Sequence, residues 1–130
     1  MTYIFENNNF NKGTVNLYID NKLFATVKVK DSFQDGEMKM FYPNGKVMGT
    51  SIFKNGKLNG EYNYTQGKLN GEYKVYYENG NLKESGNYLD NKLEGKYLKY
   101  YENGNIEEDY IYIQNMLNGP YKNYYEDGSL

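Results

Sequence analysis

Residue types along this chain repeat at every second position, and glycines interrupt the alternation at regular intervals. Alternate positions read Leu69, Gly71, Tyr73, Val75 and Tyr77, then Leu93, Gly95, Tyr97 and Tyr101, then Leu117, Gly119, Tyr121 and Tyr125. The positions between them are mostly polar, including Glu72, Lys74, Lys96 and Lys122, with one aromatic in each stretch: Tyr76, Tyr100 and Tyr124. A period of two is that of a β-strand with unlike faces, so the Leu/Gly/Tyr positions are predicted to pack and the others to meet solvent. Strand breaks are equally regular. Asn44-Gly45, Asn55-Gly56, Asn79-Gly80 and Asn103-Gly104 are pairs favoured in type I′ hairpin turns, where both central residues need positive φ. Asp20-Asn21, Gln66-Gly67, Asp90-Asn91, Gln114-Asn115 and Asp127-Gly128 stand at equivalent breaks with weaker turn preference. From Gly45 onward the breaks recur every 11 or 13 residues.

This predicts an all-β fold, a single-layer antiparallel β-meander of about ten strands. At a strand spacing of roughly 4.8 Å the twisted sheet would be about 45 Å long. If Asn79-Gly80 is a two-residue loop, Tyr77 pairs with Leu82 and Tyr73 with Gly86, laying a ring over a glycine backbone.

The repeat behind this regularity is explicit. Gly71-Glu-Tyr-Lys-Val-Tyr-Tyr-Glu-Asn-Gly80 is nearly the same string as Gly95-Lys-Tyr-Leu-Lys-Tyr-Tyr-Glu-Asn-Gly104. Gly119 to Gly128 is a third copy and Gly36 to Gly45 a degenerate fourth; the starting glycines are 95 − 71 = 24 and 119 − 95 = 24 residues apart. An extra half unit, Gly60 to Gly67, is inserted. The expected organisation is one domain over residues 1–130, with 36–130 as repeats and 1–35 as an irregular cap carrying Phe5, Phe10 and Phe24. The pattern Gly-x-Tyr-x-x-Tyr-Tyr-x-Asn-Gly resembles the MORN repeat in its bacterial variant form, well over 36–130 and weakly over 13–35, where Gly13 and Tyr18 fall at matching offsets. The resemblance implies stacked hairpins forming an elongated twisted sheet. Bacterial relatives of this kind are antitoxin-like or immunity-like proteins and eukaryotic ones are scaffolding or membrane-associated modules; no catalytic residue belongs to the repeat.

Composition narrows the chemistry. There is no Cys, His or Trp, and all 15 basic residues are Lys. Disulfides, thiolate and imidazole metal sites, Ser-His-Asp catalysis and arginine fingers are therefore unavailable. No metal, cofactor or catalytic residue is expected, and the chain is read as not an enzyme. The net charge of −2 divides into about +2 for residues 1–65 (8 Lys, 6 acids) and −4 for residues 66–130 (7 Lys, 11 acids). Scattered lysines give no phosphate-binding footprint, so nucleic acid is not an expected partner. No run is long enough to cross a membrane, and Met1-Thr2-Tyr3-Ile4-Phe5 has no basic residue before its short apolar stretch, so a cytoplasmic location is expected. Richness in Lys, Asn and Tyr without Arg is the bias of an AT-rich bacterial or phage genome.

The candidate site lies on the mostly polar face. Strict alternation aligns Tyr18, Phe41, Tyr76, Tyr100 and Tyr124 as an aromatic ladder, and places Leu89, Leu98, Ile111, Ile113 and Met116 beside it. Glu107, Asp109 and Lys122 form the charged rim. Contiguous exposed apolar area with such a rim marks a partner site. The expected function is a non-catalytic protein-binding module, an inhibitor that docks on and occludes a protein partner such as a basic toxin or nuclease. In that form it is antitoxin-like, immunity-like or a phage anti-defence blocker. The alternatives are a self-associating scaffold and a carbohydrate- or cell-envelope-binding protein.

Overall fold

The computed structural model describes residues 2–6, 12–31 and 33–130, with side chains from Gly13 onward. The strands are β1 Thr2–Glu6, β2 Lys12–Ile19, β3 Lys22–Lys30, β4 Phe33–Phe41, β5 Val47–Lys54, β6 Lys57–Thr65 and β7 Lys68–Leu69. They continue as β8 Gly71–Tyr76, β9 Leu82–Leu89, β10 Lys92–Leu93, β11 Gly95–Tyr100, β12 Ile106–Ile113, β13 Met116–Leu117 and β14 Lys122–Asn123. Among the described residues every pairing is antiparallel and each long strand pairs with the next long one, β7, β10 and β13 being short returns, so the sheet is a meander of consecutive hairpins. Ten strands have five residues or more; β7, β10, β13 and β14 are two-residue pieces. The side chains of Phe5 and Phe10 lie outside the described residues.

Two kinds of turn alternate. Asn55-Gly56 (φ 51°, 80°), Gln66-Gly67 (51°, 78°) and Asp90-Asn91 (49°, 69°) have both central residues at positive φ, as type I′ requires. Asp20-Asn21 and Gln114-Asn115 do the same. The Asn-Gly pairs at 44–45, 79–80 and 103–104, and Asp127-Gly128, do not: only the glycine is left-handed. There the glycine N–H donates to the carbonyl three residues back, as Gly80 to Tyr77 at 2.9 Å, and Tyr77 N–H donates to Asn81 C=O. This is a three-residue loop closed by a glycine bulge. The Asn79 amide oxygen accepts from Asn81 N–H at 2.8 Å, so Asn is retained for its side chain and not for a left-handed backbone. The expected Tyr77–Leu82 pairing is accordingly replaced by Tyr76–Leu82, while Tyr73 does pair with Gly86.

The register defines the faces. One row runs Val15–Val27–Met38–Ser51–Glu61–Lys74–Ser85–Leu98–Asp109–Lys122 on the reverse face. The adjacent residues occupy the tyrosine face, where Tyr62 stacks on Tyr73 at 5.7 Å, Tyr73 meets Tyr88 at 4.9 Å, and Tyr97 stacks on Tyr110 at 5.9 Å. Tyr73 is buried, its ring over Gly86; a Cβ on Gly86 would lie 2.6 Å from Tyr73 Cε1. In β2 and β3 the buried apolar side chains, Val15, Ala25 and Val27, lie on the reverse face, while the polar Asn16 and, in β5, Thr50 are buried on the other. The inserted half unit explains this. From Gly36 to Gly71 the motif advances 71 − 36 = 35 residues, while the paired row from Met38 to Lys74 advances 74 − 38 = 36. The odd difference turns the motif over, so Met38 and Tyr73, equivalent in the repeat, point to opposite sides.

Side chains hold successive hairpins together. Asn91 grips Leu69, donating its N–H to the Leu69 carbonyl (2.9 Å) and accepting the Leu69 N–H on Oδ1 (2.7 Å). Asn115 grips Leu93 in the same way, with distances of 2.9 and 2.6 Å. Tyr77 Oη donates to the Tyr100 carbonyl and Tyr101 Oη to the Tyr124 carbonyl, both at 2.6 Å.

Two consequences are testable by thermal and urea denaturation. Gly86→Ala should lose about 1–3 kcal/mol by overpacking against Tyr73. Asn91→Gly keeps the positive φ and removes only the acceptor, for a loss of about 1 kcal/mol; Asn91→Ala adds left-handed strain and should lose about 1 kcal/mol more.

Candidate functional site

β11 and β12 carry the predicted patch. Leu98 pairs with Asp109 and Ser85, Asp109 with Lys122, Lys96 with Ile111, and Ile113 with Met116 across the last type I′ turn. Ile111, Ile113 and Met116 are 43%, 46% and 70% exposed, large values for apolar side chains sharing one face. Leu89, 53% exposed, stands at the neighbouring turn on the same side. Tyr76, Tyr100 and Tyr124 are half-buried. Tyr76 Oη donates to Glu61 Oε2 at 2.9 Å, which fixes that ring on the reverse face, away from Tyr73.

Three sequence-based placements change. Glu107 leaves the patch: β12 pairs Glu108 with Lys99 but Ile106 with Tyr100, and the intervening bulge turns Glu107 toward the tyrosine face, where it meets Lys99 at 3.8 Å. Ile106 takes its place opposite Tyr100, a side strict alternation denied it. Tyr18 and Phe41 leave the ladder, because Tyr18 follows Asn16 and Phe41 follows Lys39 on the face that Tyr62 occupies. Phe41 instead lines a cleft of about 490 Å³ with Ile19, Leu23, Phe24, Pro43 and Met48.

On the tyrosine face Glu84 faces two tyrosines. Tyr97 Oη donates to Glu84 Oε1 at 2.5 Å, and the same carboxylate lies close enough to the Tyr73 hydroxyl to act on it electrostatically. Burial, with this anion close by, pushes both hydroxyls well above the ordinary tyrosine value. Burial likewise raises Tyr62 and Tyr88, reinforced by neighbouring tyrosines and Glu84. Sequence reading assigned these rings to packing and missed Glu84, whose only signal was a carboxylate at a position that alternation places on the packed side.

The MORN repeat variant profile matches residues 34–55, 69–90, 93–114 and 117–130, more than half of the chain. This chain belongs to the MORN repeat variant family. Repeats of this class are commonly protein- or membrane-binding modules. Among solved structures, the chain is similar to part of TarM from S. aureus, a mutant form in complex with Fondaparinux, alpha-GlcNAc-glycerol and UDP: TM-score 0.50, 16% identity, covering 88% of this chain and 20% of that one. It is also similar to part of accessory secretory protein 1, 2 and 3 from Streptococcus pneumoniae, with TM-score 0.49, 14% identity, and coverage of 85% and 18%. The chain thus spans a fifth or less of those chains, and at such identity the TarM likeness concerns the fold alone. No curated protein matches.

The tyrosine network sets an alkaline limit. Folded hydroxyl pKa values above the ordinary 10.0 mean that, above pH 10, the unfolded chain loses protons the folded one keeps. Stability is therefore full below pH 10 and falls as pH rises beyond it. The share of tyrosinate absorbance that belongs to Tyr62, Tyr73, Tyr88 and Tyr97 should appear above pH 10 together with the loss of far-UV circular dichroism.

Proposed function

We propose that this chain is a non-catalytic protein-binding module, acting in the cytoplasm, that docks on a protein partner through the reverse face and occludes it. The observation that carries this reading is the exposure of Ile111, Ile113 and Met116 on a common face between strands fixed by the ladder. Leu98 extends the patch, Tyr100 and Tyr124 flank it, and Asp109, Lys96 and Lys122 supply its rim. Large apolar side chains at the centre and charges at the margin are the anatomy of a docking surface.

The second half of the chain is acidic, which favours encounter with a basic partner and raises association rate more than affinity. An inhibitor of a toxin or nuclease, in the manner of an antitoxin or an anti-defence protein, fits these properties. Tyr76 lies further along the same face and is a peripheral contact in this scheme.

Ile113→Asp combined with Met116→Asp tests it, since both residues are exposed and the fold should survive by circular dichroism. Wild-type protein should retain a partner from cells of its source and block that partner's activity stoichiometrically, and the double variant should do neither. Equal recovery by both removes the patch. A wild-type dimer in light scattering that the variant abolishes would reassign the surface to self-association.

A further inference from the structure

The strands of one hairpin pair along six residues, as Gly71 to Tyr76 do with β9, but successive hairpins meet through only two pairs. At the β6–β8 and β9–β11 junctions the ladder ends beyond those two pairs, and the reverse face opens into a cleft. The first cleft, centred on β6 and reaching from β4 to β8, measures about 230 Å³ and is lined by Met40, Ser51, Glu61, Asn63, Glu72 and Lys74, with the Asn63 amide donating to the Glu72 carbonyl at 2.8 Å. At the next junction a cleft of about 170 Å³ is lined by Glu72, Ser85, Asn87, Lys96 and Leu98, with Gly86 as floor. The repeat makes them equivalent: Asn63 and Asn87, Glu72 and Lys96, Tyr76 and Tyr100 are each 24 residues apart.

We propose that these clefts are successive subsites for a linear, uncharged β-1,4-linked oligosaccharide lying across the strands on the reverse face. Three features select this occupant. Neighbouring strands are about 4.8 Å apart, so equivalent clefts lie about 10 Å apart; two β-1,4-linked pyranose rings advance by the same distance. The lining offers both donors and acceptors with balanced charge, Glu61 and Glu72 against Lys74 and Lys96, and Glu72 pairs with Lys74 at 3.4 Å along β8. Such a surface suits hydroxyls and offers little to a polyanion or polycation. Finally, Tyr76 and Tyr100 stand on the same face at the repeat spacing and present half-buried rings for sugar faces, Tyr76 oriented by its bond to Glu61. An extended peptide needs an open strand edge for its backbone, and the middle of a sheet has none.

Calorimetric titration of the whole chain with chitobiose, chitotetraose and chitohexaose tests the proposal. Binding should be saturable, and affinity should rise at least tenfold from di- to tetrasaccharide as the second subsite fills. Asn87→Ala with Lys96→Ala, both exposed positions, should weaken tetrasaccharide binding at least tenfold. Ile113→Asp with Met116→Asp should leave it unchanged, which separates this site from the apolar end of the protein-docking patch, with which it shares Lys96, Leu98 and Tyr100. Absence of saturable binding at millimolar chitohexaose, affinity independent of length, or equal binding by the Asn87/Lys96 variant would overturn it.

Discussion

The fold depends on how one hairpin is fastened to the next. Within a unit the ladder is long, but between units it consists of two pairs: Gly60–Val75 with Glu61–Lys74, Ser85–Leu98 with Glu84–Lys99, and Glu108–Asn123 with Asp109–Lys122. Two residues of ladder do not hold a sheet together in water. Side chains bonded to backbone supply the rest, which is why the repeat specifies residue types that propensity alone would not demand. Asn91 and Asn115 each satisfy both backbone groups of a leucine one unit earlier. Tyr77 and Tyr101, the second tyrosines of the first two Tyr-Tyr pairs, each reach a carbonyl one unit later. Asn81 and Asn105 donate to Glu102 and Glu126 carbonyls at the opposite turns. A hydrogen bond of this kind contributes about 1 kcal/mol net, and several act at every junction.

This fastening explains the use of tyrosine. Without a second layer, a side chain on the sheet can be covered only by its neighbours, and among the described residues the buried apolar ones are Val15, Ala25, Val27 and Tyr73. An aliphatic side chain would contribute only its area. Tyr77 and Tyr101 cover the strand with a ring and spend the hydroxyl on the next backbone, while Tyr97 directs its hydroxyl to Glu84. The Tyr97–Glu84 bond thereby crosses the β9–β11 junction, where the ladder has only two pairs.

Legibility in the sequence followed parity. Wherever the chain advances by whole residues between known pairs, alternation predicts the face, and Tyr73 over Gly86 and Leu98 beside Asp109 and Lys122 are as expected. Prediction failed where a single residue is looped out. The bulge at the Asn79-Gly80 turn moved the Leu82 pairing from Tyr77 to Tyr76, and the bulge in β12 exchanged Glu107 for Ile106. A bulge away from glycine leaves little composition signal, yet it moves the residues between it and the nearest turn to the other face. Phe41 shows the accumulated effect: its place in the motif matches Tyr76, but an odd count of residues across the inserted half unit puts it on the opposite side. The turns inverted the usual expectation, since Asp90-Asn91 is a true type I′ pair and Asn79-Gly80 is not. What decides is the need for Asn91 to reach back to Leu69, a contact invisible at the level of dipeptides.

The weakness of the junctions and the usefulness of the reverse face have a common origin. Where the short return strand passes into the main one, at Asn70-Gly71 and Glu94-Gly95, the ladder to the preceding strand shifts by two residues. A shift of two preserves which side each residue faces, so the tyrosine column continues without interruption. The same two residues push the strands apart and leave recesses beside Asn63 and Asn87. At the last junction the equivalent position is Ile111, and the surface changes from polar to apolar without any change in backbone. One repeat geometry therefore presents two chemistries along a single face, selected by the residue that follows each tyrosine-face position. A scaffold whose stability resides in backbone-directed Asn and Tyr contacts leaves those outward positions free to vary.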